Sequence, residues 1–112
     1  MLKKIWTKNG LLMDKYTIDM LFWAEEDLNE IGLYYENLSK GLGDKFYKEI
    51  RQIIESLKLN PFYQIDSDGL RKIPVEKFPY KVFFKVDEKK KVVYVEAIIS
   101  DYLLPFSTKI KT

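Results

Sequence analysis

The chemistry open to this chain rests on lysine, arginine, tyrosine and carboxylate side chains, because its 112 residues include no histidine and no cysteine. Histidine is the commonest general base near neutral pH and the commonest metal ligand. Ser-His-Asp and Cys-His mechanisms are therefore excluded. Disulfides and cysteine-based metal sites are excluded too, which suits a reducing cytosol. Any base would have to be a lysine or tyrosine with a lowered pKa, or a carboxylate. The net charge is only +2, but it is unevenly spread. Residues 1–57 hold eight Lys/Arg against ten Asp/Glu, and residues 58–112 hold eleven against seven. A basic C-terminal half could face nucleic acid or an acidic partner. The plainer reading is a solvated sheet face. Likewise Lys89-Lys90-Lys91 reads as a solvated hairpin turn that could also touch phosphate non-specifically.

The elements that must carry these side chains can be read from periodicity. The length suits one domain with one modest core. Tyr16, Ile18, Met20 and Phe22 alternate with Thr17, Asp19 and Leu21, predicting a strand over 16–22. Leu28, Ile31, Tyr35 and Leu38 then recur at three and four, predicting a helix over 24–38 with Glu25, Glu26 and Asp27 in its first turn. Gly41 and Gly43 break it. Leu42, Phe46, Ile50, Ile53, Ile54 and Leu57 form the stripe of a second helix over 42–59, stopped by Asn60-Pro61. A short link makes the two helices a hairpin. Residues 62–69 read as a loop. Strands are predicted over 70–74, 80–87 and 91–99. Tyr80, Val82, Phe84 and Val86 share one face of the second, and Val93, Val95, Ala97 and Ile99 share one face of the third. The sheet is expected to be antiparallel. Residues 1–14 contain the turn signal Asn9-Gly10. They form an extension of uncertain structure (an extra strand or an arm), with the domain proper over 15–112.

This order and several local motifs resemble the RelE/ParE superfamily of toxins from type II toxin–antitoxin systems, nearer the ParE branch. The likeness runs through Trp23-Ala24-Glu25-Glu26-Asp27-Leu28, the pair Tyr34-Tyr35, then Gly43, Phe46, Ile50, Ile54 and Asn60-Pro61. It continues in Gly69-Leu70-Arg71 and in Phe78-Pro79-Tyr80-Lys81-Val82-Phe83-Phe84-Lys85-Val86. It covers roughly residues 16–105. Taken singly, each motif is also ordinary core or turn chemistry; their joint order carries the resemblance. It implies an α+β fold, a two-helix N-terminal hairpin packed on a small twisted antiparallel sheet.

The resemblance also implies a function and places the candidate residues. ParE-like members end the last strand in a His-x-x-Arg-x-Pro-like segment, where this chain has Ser100-Asp101-Tyr102-Leu103-Leu104-Pro105 and keeps only the proline. In RelE-like members, lysines and arginines on the sheet and a C-terminal aromatic carry RNA cleavage. Arg71, Lys72 and Lys81 stand near those basic positions, and Tyr102 near the aromatic. The candidate catalytic residues are thus Arg71, Lys81 and Tyr102, with Asp101 an alternative base. Arg71 has a structural alternative, pairing with Glu76 or Asp68. Without histidine and with the altered segment, binding is favoured over cleavage. The expected protein is a ParE-like toxin with DNA gyrase as the family-implied target and a cognate antitoxin as partner in a hetero-oligomer. The alternatives are a ribosome-dependent mRNA endonuclease with a reduced site and a non-toxic homologue that keeps antitoxin binding. No cofactor, no metal and no membrane contact are expected. No apolar stretch approaches the roughly 20 residues of a spanning helix, and the location read from the sequence is cytoplasmic.

Overall fold

Asn9-Gly10 is flanked by two segments that pair with each other. In the computed structural model, which describes residues 4–6, 12–63, 65–67 and 69–102, β1 (Lys4–Trp6) runs antiparallel to β2 (Leu12–Asp14) as a separate two-stranded sheet. The main chain then follows β3 (Thr17–Met20), α1 (Phe22–Leu38), α2 (Leu42–Leu59), β4 (Ile65–Ser67), β5 (Leu70–Pro74), β6 (Tyr80–Asp87) and β7 (Val92–Ser100). The main sheet has the order β3-β7-β6-β5-β4. The architecture is α+β, two helices on a small sheet, as expected. One junction departs from the antiparallel reading: β3 runs parallel to β7, with Ile18 beside Val93 and Met20 beside Val95. A parallel neighbour needs a long crossover, and the two helices and the meander β4–β6 supply it.

The first strand is shorter than its alternation implies, and α1 starts earlier. The Leu21 N–H donates to Val95 O, and the Leu21 C=O accepts from Glu25 N–H. Leu21 therefore closes the sheet pairing and opens the helix at once. Phe22, predicted to point inward from a strand, becomes the first helical residue and is exposed. Leu38 is also exposed, while Ala24, Asp27, Leu28, Ile31 and Tyr35 face the core. The segment 62–69 is not wholly a loop, since β4 pairs antiparallel with β5 through an irregular register.

The α2 stripe behaves as its spacing dictates. Phe46, Ile50, Ile53 and Leu57 are buried against Val82, Phe84, Val93 and Val95 of the sheet. Asn60 ends the helix, its side-chain oxygen accepting from Phe62 N–H at 3.1 Å. The helices meet at two glycines. A Cβ on Gly43 would lie 2.6 Å from Gly32 O, and one on Gly32 would strike the Tyr47 ring at 2.5 Å. Glu36 closes the link between the helices, accepting from Gly41 N–H at 2.9 Å and Gly43 N–H at 3.0 Å. These are free donors at the start of α2, where a carboxylate also meets the positive end of the helix dipole.

The face of β7 changes partway along. Phe84 sits opposite Val95 and Phe83 opposite Ala97, so β7 spends one extra residue, Glu96, against β6. This is a β-bulge. It moves Ile98, not Ala97 or Ile99, onto the core side. The predicted alternation therefore holds for Val93 and Val95 and inverts after them. The Ile98 N–H donates to Asp27 Oδ2 at 2.9 Å, and Asp27 is only 2% exposed. At one end of the sheet Tyr35, Phe46, Phe78 and Tyr80 pack as rings 4.9–6.1 Å apart. Burial, with a hydrogen bond to Tyr35 adding to it, pushes the Tyr80 hydroxyl up to about 12.

Two outcomes test this packing. Ile50→Asp abolishes cooperative thermal unfolding, because an unpaired charge would enter the core; Ile50→Ala lowers stability by roughly 2–5 kcal/mol in denaturant titration. A soluble Ile50→Asp protein with a sharp transition contradicts the assignment. Tyr80 is protonated in the fold at a pH where it ionises in the unfolded chain. Stability from this group is complete below pH 10 and is lost as pH rises towards 12. Tyr80→Phe therefore shows a smaller alkaline loss than the parent, measured as midpoint against pH.

Candidate functional site

Pleat parity decides where the candidate cations point. Cross-strand partners share a face of a sheet. Arg71 lies opposite Phe84, a fully buried core residue, so it faces the helix side. There its guanidinium lies 5.4 Å from the centre of the Phe62 ring, and Nη1 donates to Tyr63 O at 2.6 Å. Its contacts are thus with the chain leaving α2, not with Glu76; Asp68 lies outside the described residues. Phe62 also meets Tyr16 edge-on at 5.9 Å, and Lys91 Nζ sits 5.0 Å from the Tyr16 ring centre. Lys91 is therefore packed, and only Lys89 and Lys90 of the lysine run are exposed.

Lys81 lies opposite Pro74 and Ile99, one step out of phase with the buried Val82, so it points from the outer face. Its Nζ donates to Asp101 Oδ1 at 2.5 Å, both side chains being about one-third exposed. Arg71 and Lys81 are consequently on opposite faces of the sheet and roughly 10 Å apart along the strands. They do not form one basic pair. Tyr102 follows the ion pair and is 83% exposed. Its N–H donates to Ser100 Oγ at 3.1 Å, and the Asp101 N–H to Pro79 O. That turn is thereby tied to the Phe78-Pro79-Tyr80 segment. Leu103, Leu104 and Pro105 lie outside the described residues.

The outer face instead gathers a different set. Lys72 is opposite Phe83, and Phe83 has Lys81 and Lys85 two residues away on the same strand face. Lys85 is opposite Tyr94, and Asp19 of β3 neighbours Tyr94. Three lysines thus surround a half-buried phenylalanine, with Tyr94 alongside. Lys85, Phe83 and Tyr94 were not singled out from sequence, although the odd-numbered parity of Lys81, Phe83 and Lys85 already put them together. Such a face offers cations and ring surfaces for an anionic or planar group. Among the described residues, no group of three or more His, Asp or Glu comes together to hold a metal.

The two cations differ in what they hold, and stability measurements separate them. Arg71→Ala loses a hydrogen bond and a ring contact and costs about 1–2 kcal/mol. Lys81→Ala loses a partly exposed ion pair and costs under about 1 kcal/mol. Equal or reversed losses in denaturant titration contradict these placements.

Solved structures share the fold, and a family model matches the sequence. No curated protein sequence matches. Among solved structures, the chain is similar to one described as the chromosomal ParDE toxin–antitoxin system from P. aeruginosa, with a TM-score of 0.66 and 20% identity, over 77% of this chain and 96% of that one. It is similar to the archaeal RelE–RelB complex from Pyrococcus horikoshii OT3, with a TM-score of 0.54 and 14% identity, over 80% and 99% of the two chains. At these identities the likeness is one of fold. The family model described as the ParE toxin of the type II toxin–antitoxin system, parDE, matches residues 23–101, from the first turn of α1 through the Lys81–Asp101 pair. The chain therefore belongs to the ParE toxin family of type II toxin–antitoxin systems.

Proposed function

We propose that this toxin-family chain is neutralised by a cognate antitoxin in a hetero-oligomer and acts by binding rather than by cutting RNA, with DNA gyrase as its target, in the cytoplasm. The observation that carries the binding reading is the separation of Arg71 and Lys81. Cleavage by a neighbouring 2′-hydroxyl needs a base, an acid and cations converging on one phosphate. Here one candidate cation is engaged by Phe62 and Tyr63 on the helix side, and the other by Asp101 on the outer face. Support for an antitoxin comes from the similar structures, one described as a ParDE system and one as a RelE–RelB complex. A second reading, ribosome-dependent mRNA cleavage, draws on Lys72, Lys81 and Lys85 around Phe83, with Tyr102 following Asp101, the partner of Lys81.

Induced expression without and with the neighbouring gene discriminates the readings. We expect growth arrest with a DNA-damage response, relief by the neighbouring product, and trapping of gyrase–DNA cleavage complexes by the purified chain. The neighbouring product should copurify and raise the thermal midpoint, since a ligand of the folded state alone stabilises it by mass action. Ribosome-bound mRNA cleavage lost on Lys81→Ala would replace the binding reading with the nuclease one. Harmless expression with no copurifying neighbour would remove the toxin–antitoxin reading.

A further inference from the structure

Helix α1 carries Glu25, Glu26, Asp27, Glu30 and Glu36 and no lysine or arginine. Its charges are therefore all of one sign, although the protein as a whole is slightly basic. Asp27 and Glu36 are used internally, by Ile98 N–H and by the helix link. Glu26 and Glu30 have no ion-pair partner among the described residues.

The same helix leaves large apolar groups in water. Trp23 is 44% exposed, Leu33 61%, Tyr34 56% and Leu38 61%. Trp23, Glu26, Glu30, Leu33 and Tyr34 recur at three, four and seven residues and share one flank of the helix, while Leu38 exposes the end of the stripe that carries Ile31 and Tyr35. Gly32, which receives α2, lies on a different side. Single exposed apolar residues are ordinary. Four exposed apolar side chains along the helix, beside carboxylates with no ion-pair partner among the described residues, form the pattern of an unfilled interface.

We infer that this flank of α1 docks an amphipathic helix of the antitoxin whose apolar stripe is flanked by lysine or arginine. The inference rests on the antitoxin reading above and deepens it by assigning the surface and the sign of the partner's charge. An amphipathic partner would lay residues spaced i, i+4 and i+7 between Trp23, Tyr34 and Leu38. Its cations would meet Glu26 and Glu30. An acidic segment would place like charges together in the same groove, which is unfavourable. A predominantly acidic antitoxin would thus need a locally basic segment to sit here.

The test uses the full chain in its complex. The neighbouring gene's product, tagged and limiting, is coexpressed with wild-type toxin and one variant distinguished by mass, and the ratio retained gives relative affinity. Glu30→Lys and Tyr34→Ala should each reduce retention roughly 10-fold or more, while Glu88→Lys, an exposed charge reversal in the β6–β7 turn, should not. Retention of wild type should fall as salt rises, and the Glu26→Lys/Glu30→Lys variant should lose most of that dependence. Circular dichroism of the complexes checks that each variant is folded. A complex that forms normally and ignores all of these changes overturns the docking surface and leaves the antitoxin reading intact. Loss with Tyr34→Ala alone overturns the basic character of the partner. Toxin chains that pair with each other and are separated by Glu30→Lys overturn the antitoxin as occupant. A neighbouring product that never copurifies overturns both readings.

Discussion

A single buried carboxylate sets the geometry on which the rest of this fold depends. Asp27 sits one turn into α1, almost fully out of water, and accepts the Ile98 N–H of β7. A buried carboxyl group is costly unless its oxygens are hydrogen-bonded, and a bond such as the one to Oδ2 contributes on the order of 1 kcal/mol. Here the partner is a backbone group just past a bulge. The bond therefore joins helix to sheet at the point where β7 changes face. Ile98 turns inward to complete the core under α1, and Ala97 and Ile99 turn outward beside Phe83 and Lys81.

The helix hairpin is held by a comparable exchange of space for contact. Gly32 and Gly43 leave no room for a Cβ, so the helix backbones approach closely. The close approach brings Glu36 of α1 within reach of the Gly41 and Gly43 N–H groups that α2 cannot satisfy itself. Tyr35, on the neighbouring side of α1, then meets Phe46, Phe78 and Tyr80. Helix–helix packing and the aromatic cluster are thus parts of one arrangement that ends at the Tyr80 start of β6.

Charge is unevenly divided between α1 and the sheet. The outer face of the sheet collects Lys72, Lys81 and Lys85, whereas α1 is acidic throughout. A small net charge hides this division. Lysines gather on the outer face, with Asp19 and Asp101 beside them, while α1 carries carboxylates alone, and complementary potentials choose partners and orient their approach.

Periodicity alone determined the two helices, the three C-terminal strands and most of the core. Stripes such as Phe46, Ile50, Ile53 and Leu57 are local properties of 3.6-residue and two-residue repeats. Motif order carried the family resemblance for the same reason. What only the tertiary structure decided are relations between segments distant in sequence. The parallel pairing of β3 with β7 depends on where the crossover delivers the chain. The bulge at Glu96 presents the Ile98 N–H to Asp27, 71 residues away, and no local pattern records that meeting. Arg71 and Lys81 each lie on a strand read correctly from the sequence, yet they serve opposite faces, because relative parity between strands is set by register. The exposed flank of α1 was hidden for a related reason: Trp23, Leu33 and Tyr34 look like core residues until the sheet has taken one side of the helix and α2 another.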